Sequence, residues 1–213
     1  MSGDKEKSQE AVQETTKETT KETTKETTKE TAQMIVQKNK SDIVIVGYQA
    51  KYASYFAALN YQWITQFFAI EAEDRAALDH PEAYAIDNGG EIFFILDQTN
   101  GGEEVIGTAA MVPKEVPKKA PQAAGAIKVY ELAKMAVLPS RQGEGLGQML
   151  LKHCIDFAHQ RHGKQIILTT NDMLKPALTV YHKLGFKDLP VNPDSRYERG
   201  NLAMVLDLRD EDD

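Results

Sequence analysis

Residues 135–148 read MAVLPSRQGEGLGQ, and this stretch decides the fold because it joins a strand to a helix through a glycine-rich turn. The apolar strand ends before Pro139, and three alternating glycines, Gly143, Gly145 and Gly147, precede an amphipathic helix. Glycines let the backbone turn its N–H groups inward, and a helix N-terminus adds partial positive charge. The stretch therefore predicts a cradle for a pyrophosphate group.

Two other phosphate-binding motifs fit this stretch poorly. A Walker loop requires Gly-Lys-Ser/Thr, which does not follow the glycines here. The dinucleotide-binding fingerprint normally lies in the first strand–helix unit, whereas these glycines lie two-thirds of the way along the chain. A glycine-rich segment alone is weak support for any ligand, so its interpretation depends on the rest of the chain.

The surrounding periodicity predicts strands and helices in a mixed order. Alternating or β-branched runs predict strands, and apolar residues at helical spacing predict helices. The predicted strands are 42–48, 91–97, 104–112, 128–137, 165–170 and 201–208, and the predicted helices are 51–70, 72–78, 145–162 and 175–184. A proline-containing exposed loop is expected from Pro113 to Ala126. This order predicts an α+β (or α/β) fold with a mixed sheet flanked by helices.

The two ends of the chain differ in composition from its body. The chain has 213 residues, and residues 17–28 are three copies of Lys-Glu-Thr-Thr. With almost no apolar side chains to offset the entropy of ordering, residues 1–40 are expected to form a disordered low-complexity tail. Residues 41–208 are expected to form one domain, and residues 209–213 an acidic C-terminal tail.

Composition also excludes several classes of protein. The net charge of −7 argues against a nucleic-acid binder, and no apolar run approaches the length of about 18 residues that a membrane span needs. The start of the chain lacks the apolar stretch of a secretory signal. Because Cys154 is the single cysteine, neither an intramolecular disulfide nor a thiolate zinc site can form. We therefore expect a cytoplasmic protein.

Two motifs in order resemble the GNAT superfamily of acetyl-CoA-dependent N-acetyltransferases. Residues 142–147, QGEGLG, fit that family's Gln/Arg-x-x-Gly-x-Gly/Ala motif, and residues 181–186, YHKLGF, resemble its Tyr-x-Lys-x-Gly-Phe ending. Asn171 stands where the family often has an asparagine that contacts the cofactor. The resemblance extends over about residues 41–208 and implies a GNAT-like fold with a mostly antiparallel sheet.

The resemblance implies acetyl-CoA as co-substrate, no metal, and direct attack by a primary amine in a ternary complex. The acceptor would be a small molecule, an amino acid or a peptide. The backbone of Met135, Ala136 and Val137 would pair with the pantetheine arm, and a backbone N–H near Val137 would hold the developing oxyanion. The remaining cofactor-binding positions would be Asn171 and the pyrophosphate-binding backbone of Gln142, Gly143, Glu144, Gly145, Leu146, Gly147 and Gln148.

The resemblance also implies two catalytic side chains. Glu131 would accept the ammonium proton, because a protonated amine cannot attack, and Tyr181 would protonate the leaving thiolate. The alternative for Glu131 is a surface ion pair with Lys128 or Lys134, and for Tyr181 it is a core aromatic. A covalent role for Cys154 is disfavoured because it lies on the apolar face of a helix.

Several questions stay open from the sequence. In this fold the first helices and the last strand pair would shape the acceptor side. Acids there, such as Glu71, Glu73 and Asp74, would suit a cationic amine, whereas Arg196 and Arg199 would suit a carboxylate-bearing one. Each set has a structural alternative as core packing or surface pairs. A non-catalytic acyl-CoA-binding or regulatory module is the alternative function, and an interaction role of the tail is a third. A homodimer would be consistent with the family.

Overall fold

The computed structural model describes residues 42–99, 101–114, 128–189 and 198–208. The chain divides into two units, Met1–Ile43 and Val44–Asp213, and nearly all described residues lie in the second. The predicted tails and most of the predicted loop from Pro113 to Ala126 lie outside the described residues. The account below is therefore of the second unit, with the strand that begins it.

A mixed seven-stranded sheet forms the centre, with strand order β1-β2-β3-β4-β5-β7-β6. Neighbouring strands from β2 to β6 pair antiparallel, except that β4 and β5 pair parallel. This confirms the predicted mixed sheet and α+β class. The strands are β1 Ile43–Val46, β2 Glu91–Asp97, β3 Glu104–Lys114, β4 Val129–Val137, β5 Gln165–Thr170, β6 Lys187–Leu189 and β7 Leu202–Asp207.

Helices cover both faces of the sheet because strand side chains alternate between the faces. Phe56 of the first helix packs in one core cluster with Ile92 and Phe94 of β2. The intervening Phe93 faces the opposite way, where its ring centroid lies 5.3 Å from that of Phe157. The helices are α1 Ala53–Phe67, α2 Ala72–Leu78, α3 Leu146–Gln160 and α4 Lys175–Lys183. Short 3-10 turns precede α1 and α3, at Ala50–Tyr52 and Pro139–Arg141.

The structure corrects the prediction at three places. Strand β3 continues through Pro113 to Lys114, where an exposed loop was expected. Proline is tolerated there because β2 pairs with β3 only as far as Met111, so the missing N–H costs no hydrogen bond to β2. Strand β6 was missed because its three residues are all exposed and carry no apolar alternation. A π-helical turn, Glu82–Ile86, was also missed.

Candidate functional site

Strands β4 and β5 diverge in the middle of the sheet. They pair only from Val129 to Glu131 on β4 and from Gln165 to Ile167 on β5. Beyond these residues β4 still pairs with β3 up to Val137, and β5 still pairs with β7 up to Thr170. The C-terminal halves of both strands therefore present backbone groups to a gap, and an extended ligand can pair with such an edge.

The glycine-rich segment follows β4 directly and leads into α3. Gly143 and Gly145 have φ values of 84° and 81°, and Gly145 is the N-cap of α3 without any side-chain cap. A Cβ atom at either glycine would meet no heavy atom within 4 Å, so the space before the helix is open. The first N–H groups of a helix have no acceptor within the helix. The structure thus provides an anion cradle beside the gap.

Arg141 fixes this glycine-rich segment to the sheet. Its guanidinium donates to Glu144 Oε1 and Oε2 at 2.8 and 2.9 Å and to Asp97 Oδ2, at the end of β2, at 2.6 Å. The Gln142 side chain donates to the Val137 carbonyl at 3.3 Å. Hydrogen bonds from Thr99, and then from Arg141, lower the pKa of Asp97, and the hydrogen bond from Arg141 lowers the pKa of Glu144. The charge of Glu144 is therefore balanced by Arg141 next to the cradle.

Tyr181 lies on α4, next to the N-terminal part of α3. Lys183 Nζ is 3.5 Å from Gln148 Oε1, and the Tyr181 ring centroid is 5.8 Å from that of Phe186. Burial raises the pKa of Tyr181 to about 12, with a smaller contribution from Cys154. The phenol therefore keeps its proton at neutral pH and can serve as a proton donor.

Cys154 is fully buried in α3, as the sequence indicates. Burial raises the pKa of its thiol, because a thiolate is poorly solvated in an apolar environment. The thiolate is the nucleophilic form of cysteine, so this side chain is unsuited to carry an acetyl group.

Glu131 lies at the last β4 position that pairs with β5, where the gap begins. Its residue is only 5% exposed, and its carboxylate lies 3.0 Å from Lys114 Nζ. Glu131 therefore forms an ion pair with Lys114, a partly exposed lysine that the sequence analysis did not name as a partner. The difference arises because β3 extends to Lys114, which brings that lysine beside Glu131.

Asn171 follows β5 and is buried, but its side chain already has protein partners. Its Nδ2 donates to the Arg199 carbonyl at 2.7 Å, and its Oδ1 accepts from the Met173 N–H at 2.9 Å. These bonds tie the β5–α4 loop to the residues before β7. A contact with a cofactor, as the resemblance implies, would use the remaining hydrogen-bonding capacity of the amide.

The sequence analysis did not identify a charged cluster of two buried and two partly buried side chains, which we call the Asp74 cluster: Glu71, Asp74, Lys134 and Arg199. Asp74 is fully buried, and its Oδ1 lies 2.6 Å from both Lys134 Nζ and Arg199 Nη2. Arg199 Nη1 lies 2.7 Å from Asp74 Oδ2 and 2.8 Å from Glu71 Oε1. The signal in the sequence was a lysine inside an otherwise mostly apolar strand.

The Asp74 cluster changes the expectation about the acceptor. Glu71 and Asp74 are bound by Arg199 and Lys134, so the acids are balanced by cations within the protein. Arg199 is likewise engaged by two carboxylates, and Arg196 lies outside the described residues. Glu73, the third acid named in the sequence analysis, is exposed and lies outside this cluster.

Among the described residues, no group of three or more His, Cys, Asp and Glu side chains is arranged to hold a metal ion. No helix there is both long enough and apolar enough to cross a membrane.

Comparisons with known proteins point to one family. The model of the acetyltransferase (GNAT) family matches residues 57–186, more than half of the chain. Streptothricin acetyltransferase of Streptomyces lavendulae is 34% identical over 50 residues, covering 24% of this chain and 26% of that protein. N-acetyltransferase 8B of Rattus norvegicus is 27% identical over 109 residues, covering 51% of this chain and 45% of that protein. The chain thus matches less than half the length of either curated relative.

Solved structures share the fold at low sequence identity. A GNAT-family acetyltransferase from Staphylococcus aureus Mu50 aligns with a TM-score of 0.64 and 18% identity, covering 78% of this chain and 99% of that one. A Salmonella typhimurium protein solved with its cofactor acetyl-CoA aligns with a TM-score of 0.57 and 18% identity, covering 79% of this chain and 95% of that one.

Proposed function

The chain belongs to the acetyltransferase (GNAT) family, and from this premise we propose that it transfers the acetyl group of acetyl-CoA to a primary amine by direct attack in a ternary complex. The observation that carries the proposal is the open glycine cradle at the mouth of the gap between β4 and β5. A pyrophosphate suits the cradle, and an extended pantetheine arm suits the strand edge beside it.

In this proposal the protein binds acetyl-CoA mainly through its backbone. The N–H groups at the start of α3, from Leu146 to Gln148, would bind the pyrophosphate. Met135, Ala136 and Val137 would pair with the pantetheine arm across the gap. Acetyl-CoA supplies the thioester whose carbonyl carbon is attacked, and a backbone N–H near Val137 would stabilise the charge that develops on its oxygen.

Two side chains would move protons. Glu131 would take the ammonium proton before attack, a role supported by its place on β4 where the gap begins. Tyr181 would give its proton to the leaving thiolate as the carbon–sulfur bond breaks. Its pKa, raised to about 12, keeps the phenol protonated at neutral pH, which a proton donor requires.

The acceptor itself is proposed only as a primary amine. Since the two acids and two cations of the Asp74 cluster neutralise each other, this cluster gives no reason to prefer a polycationic or a carboxylate-bearing amine. A panel of amines of both kinds should therefore be tested, together with amines that carry no other charged group and with lysine peptides.

The test has two stages on the full chain. Acetyl-CoA is first titrated calorimetrically, and micromolar affinity, about −8 kcal/mol, is expected. The amine panel is then screened for release of free CoA with a thiol reagent. Binding followed by amine-dependent CoA release supports the enzyme. Binding without release from any amine would favour the non-catalytic acyl-CoA-binding module, and absence of binding would overturn the proposal.

A matched pair of variants tests the base. Glu131→Gln removes the proton acceptor, and Lys114→Met removes only its ion-pair partner. We expect Glu131→Gln to lower turnover by about 100-fold at neutral pH and the loss to diminish as pH rises, because more amine is then already deprotonated. Equal turnover in Glu131→Gln and the wild type would remove Glu131 from the mechanism.

A further inference from the structure

Strand β4 contains a bulge beside the proposed thioester position. Ala133 pairs with Ala110 and Ala136 pairs with Thr108, so Lys134 and Met135 both lie opposite Ala109. Lys134 has a φ of 50°, in the left-handed region that glycine normally occupies at the first position of such a bulge. A lysine in this conformation is sterically disfavoured, so other contacts must hold it there.

Two helices on one side of β4 supply those contacts. The Lys134 ammonium is 2.6 Å from Asp74 Oδ1 of α2, and both side chains are almost fully buried. The Lys134 carbonyl accepts a hydrogen bond from Asn60 Nδ2 of α1 at 3.1 Å. Asn60 is itself fixed, because its Oδ1 accepts from Trp63 Nε1 at 3.1 Å. The side chain of Lys134 is thus bound by Asp74, and its main chain is bound separately by Asn60.

We propose that Lys134, Asp74 and Asn60 are positioning residues that hold the β4 bulge in the form that turns the backbone of Met135–Val137 toward the gap. The proposal rests on the proposed function, because that backbone is the part expected to bind the pantetheine arm. In this role the three residues would act through the main chain of β4 and not through contact with the arm or the reacting atoms.

Stability alone is a poor explanation for this arrangement. Replacing a buried ion pair with apolar side chains is often neutral or stabilising, so burial of Lys134 and Asp74 is not explained by folding energy. A glycine at position 134 would adopt the bulge conformation without a partner. The pair instead attaches the bulge to α2, and through Asp74 to Arg199 in the segment before β7.

Three variants of the full chain test the proposal. Lys134→Met removes the ion pair but keeps a side chain that resists the left-handed conformation. Lys134→Gly removes the same ion pair but adopts that conformation freely. Lys51→Met is the matched control, because Lys51 forms an exposed pair with Glu103 far along the chain from β4. Each variant is titrated with acetyl-CoA and with ADP, which has a pyrophosphate but no pantetheine arm.

We expect Lys134→Met to bind acetyl-CoA about ten-fold more weakly, the equivalent of one or two lost backbone hydrogen bonds, with ADP affinity unchanged. Lys134→Gly should recover acetyl-CoA affinity to within about three-fold of the wild type, because the backbone conformation is regained. Wild-type affinity in Lys134→Met, or equally weak binding in Lys134→Met and Lys134→Gly, would overturn the proposal.

Two further measurements keep the test decisive. If Lys134→Met does not fold, Asn60→Ala replaces it. Asn60→Ala should weaken acetyl-CoA binding in the wild-type background but have little effect in Lys134→Gly, and equal effects in both would contradict the proposal.

If the wild type binds no acetyl-CoA, the proposed function fails. The bulge is then judged by amide hydrogen exchange in β4, which should be faster in Lys134→Met than in Lys134→Gly; no difference would overturn the positioning role.

Discussion

At the scale of single residues, the Tyr181 hydroxyl has the clearest chemical assignment. We expect Tyr181→Phe to lower turnover by about 100-fold while acetyl-CoA affinity stays within two-fold, because a general acid acts only when the thiolate leaves. Steady-state kinetics and calorimetry on the same preparations separate the two effects. Turnover close to that of the wild type would show that Tyr181 is only a core aromatic.

The raised pKa of Tyr181 also predicts a pH profile. Burial raises this pKa to about 12, so the phenol loses its proton only well above the neutral range. The catalytic rate of the wild type should therefore show no decline from Tyr181 ionisation between about pH 7 and about pH 10. A decline in this interval that is absent in Tyr181→Phe would contradict the assignment.

Cys154 should be dispensable for chemistry. Because its thiol is buried and its pKa is raised, we expect Cys154→Ala to keep turnover within a few-fold and native wild-type protein to resist alkylation by iodoacetamide. Mass spectrometry after incubation with acetyl-CoA alone should detect no acetylated protein. Complete loss of activity in a folded Cys154→Ala variant would instead favour a covalent intermediate.

Prediction from the sequence differed between residue types at the site. Positions that would bind the ligand through their backbone, such as Gly145, could be predicted. A positive φ and open space beside the backbone both favour glycine, which is visible in the sequence. The partners of Glu131 and Asp74 could not, because Lys114, Lys134 and Arg199 reach them from distant parts of the chain. Local sequence patterns carry no information on such long-range ion pairs.

At the scale of elements, the segment between β4 and α3 should be sensitive to any side chain at Gly145. Gly145→Glu places a carboxylate in the open cradle and strains a residue with a φ of 81°, so we expect acetyl-CoA binding to become undetectable by calorimetry. Gly101→Glu is the matched control, with a φ of 74° and equally open surroundings in the β2–β3 turn. Unchanged affinity in Gly145→Glu would show that the glycine-rich segment is only a structural turn.

The attachment of α2 to β4 through Asp74 predicts an acid-dependent contribution to stability. Burial alone raises the pKa of Asp74, but hydrogen bonds from Arg199 and Lys134 outweigh burial and hold the pKa below its usual 3.8. A carboxyl group with a lower pKa in the folded chain stabilises above its unfolded pKa, and this stability is lost as pH falls through the folded pKa.

We therefore expect Asp74→Asn to reduce the free energy of unfolding by about 3 kcal/mol at neutral pH, since it leaves buried cations underpaired. The difference from the wild type should shrink as pH falls below the unfolded pKa of Asp74, about 3.8, and through its lower folded pKa. Urea unfolding across this range measures it. Asp79→Asn is the control, because Asp79 makes an exposed bond with Tyr61. A difference that stays constant with pH would contradict the role of the Asp74 charge.

Most elements could be predicted because their periodicity is local. Helices α1 and α3 and strand β2 follow directly from apolar spacing; β2 has the predicted bounds, and the two helices differ from the prediction only at their ends. Strand β6 could not be predicted, because pairing with β7 rather than burial defines its three exposed residues. The bulge at Lys134 was also invisible, since a lysine gives no sign of a left-handed backbone.

At the scale of the whole molecule, the repeats should be separable from acetyl-CoA binding. From Ser2 to Gln33 the sequence has only Ala11, Val12 and Ala32 as apolar side chains, too little surface to join a hydrophobic core. A variant lacking residues 1–40 should keep its thermal midpoint and bind acetyl-CoA within two-fold of the full chain. A clear loss of affinity or turnover would assign the repeats a role in the reaction.

The divergence of β4 and β5 has a consequence for how long the protein survives. Without a ligand, the sheet contains an internal seam of unpaired strand edges, the kind of place where local opening and protease attack begin. A ligand that fills the seam stabilises the folded state by about 2.7 kcal/mol at one hundred times its dissociation constant. The half-life of the protein during limited proteolysis should then lengthen with acetyl-CoA supply, which would couple its abundance to the metabolic state of the cell.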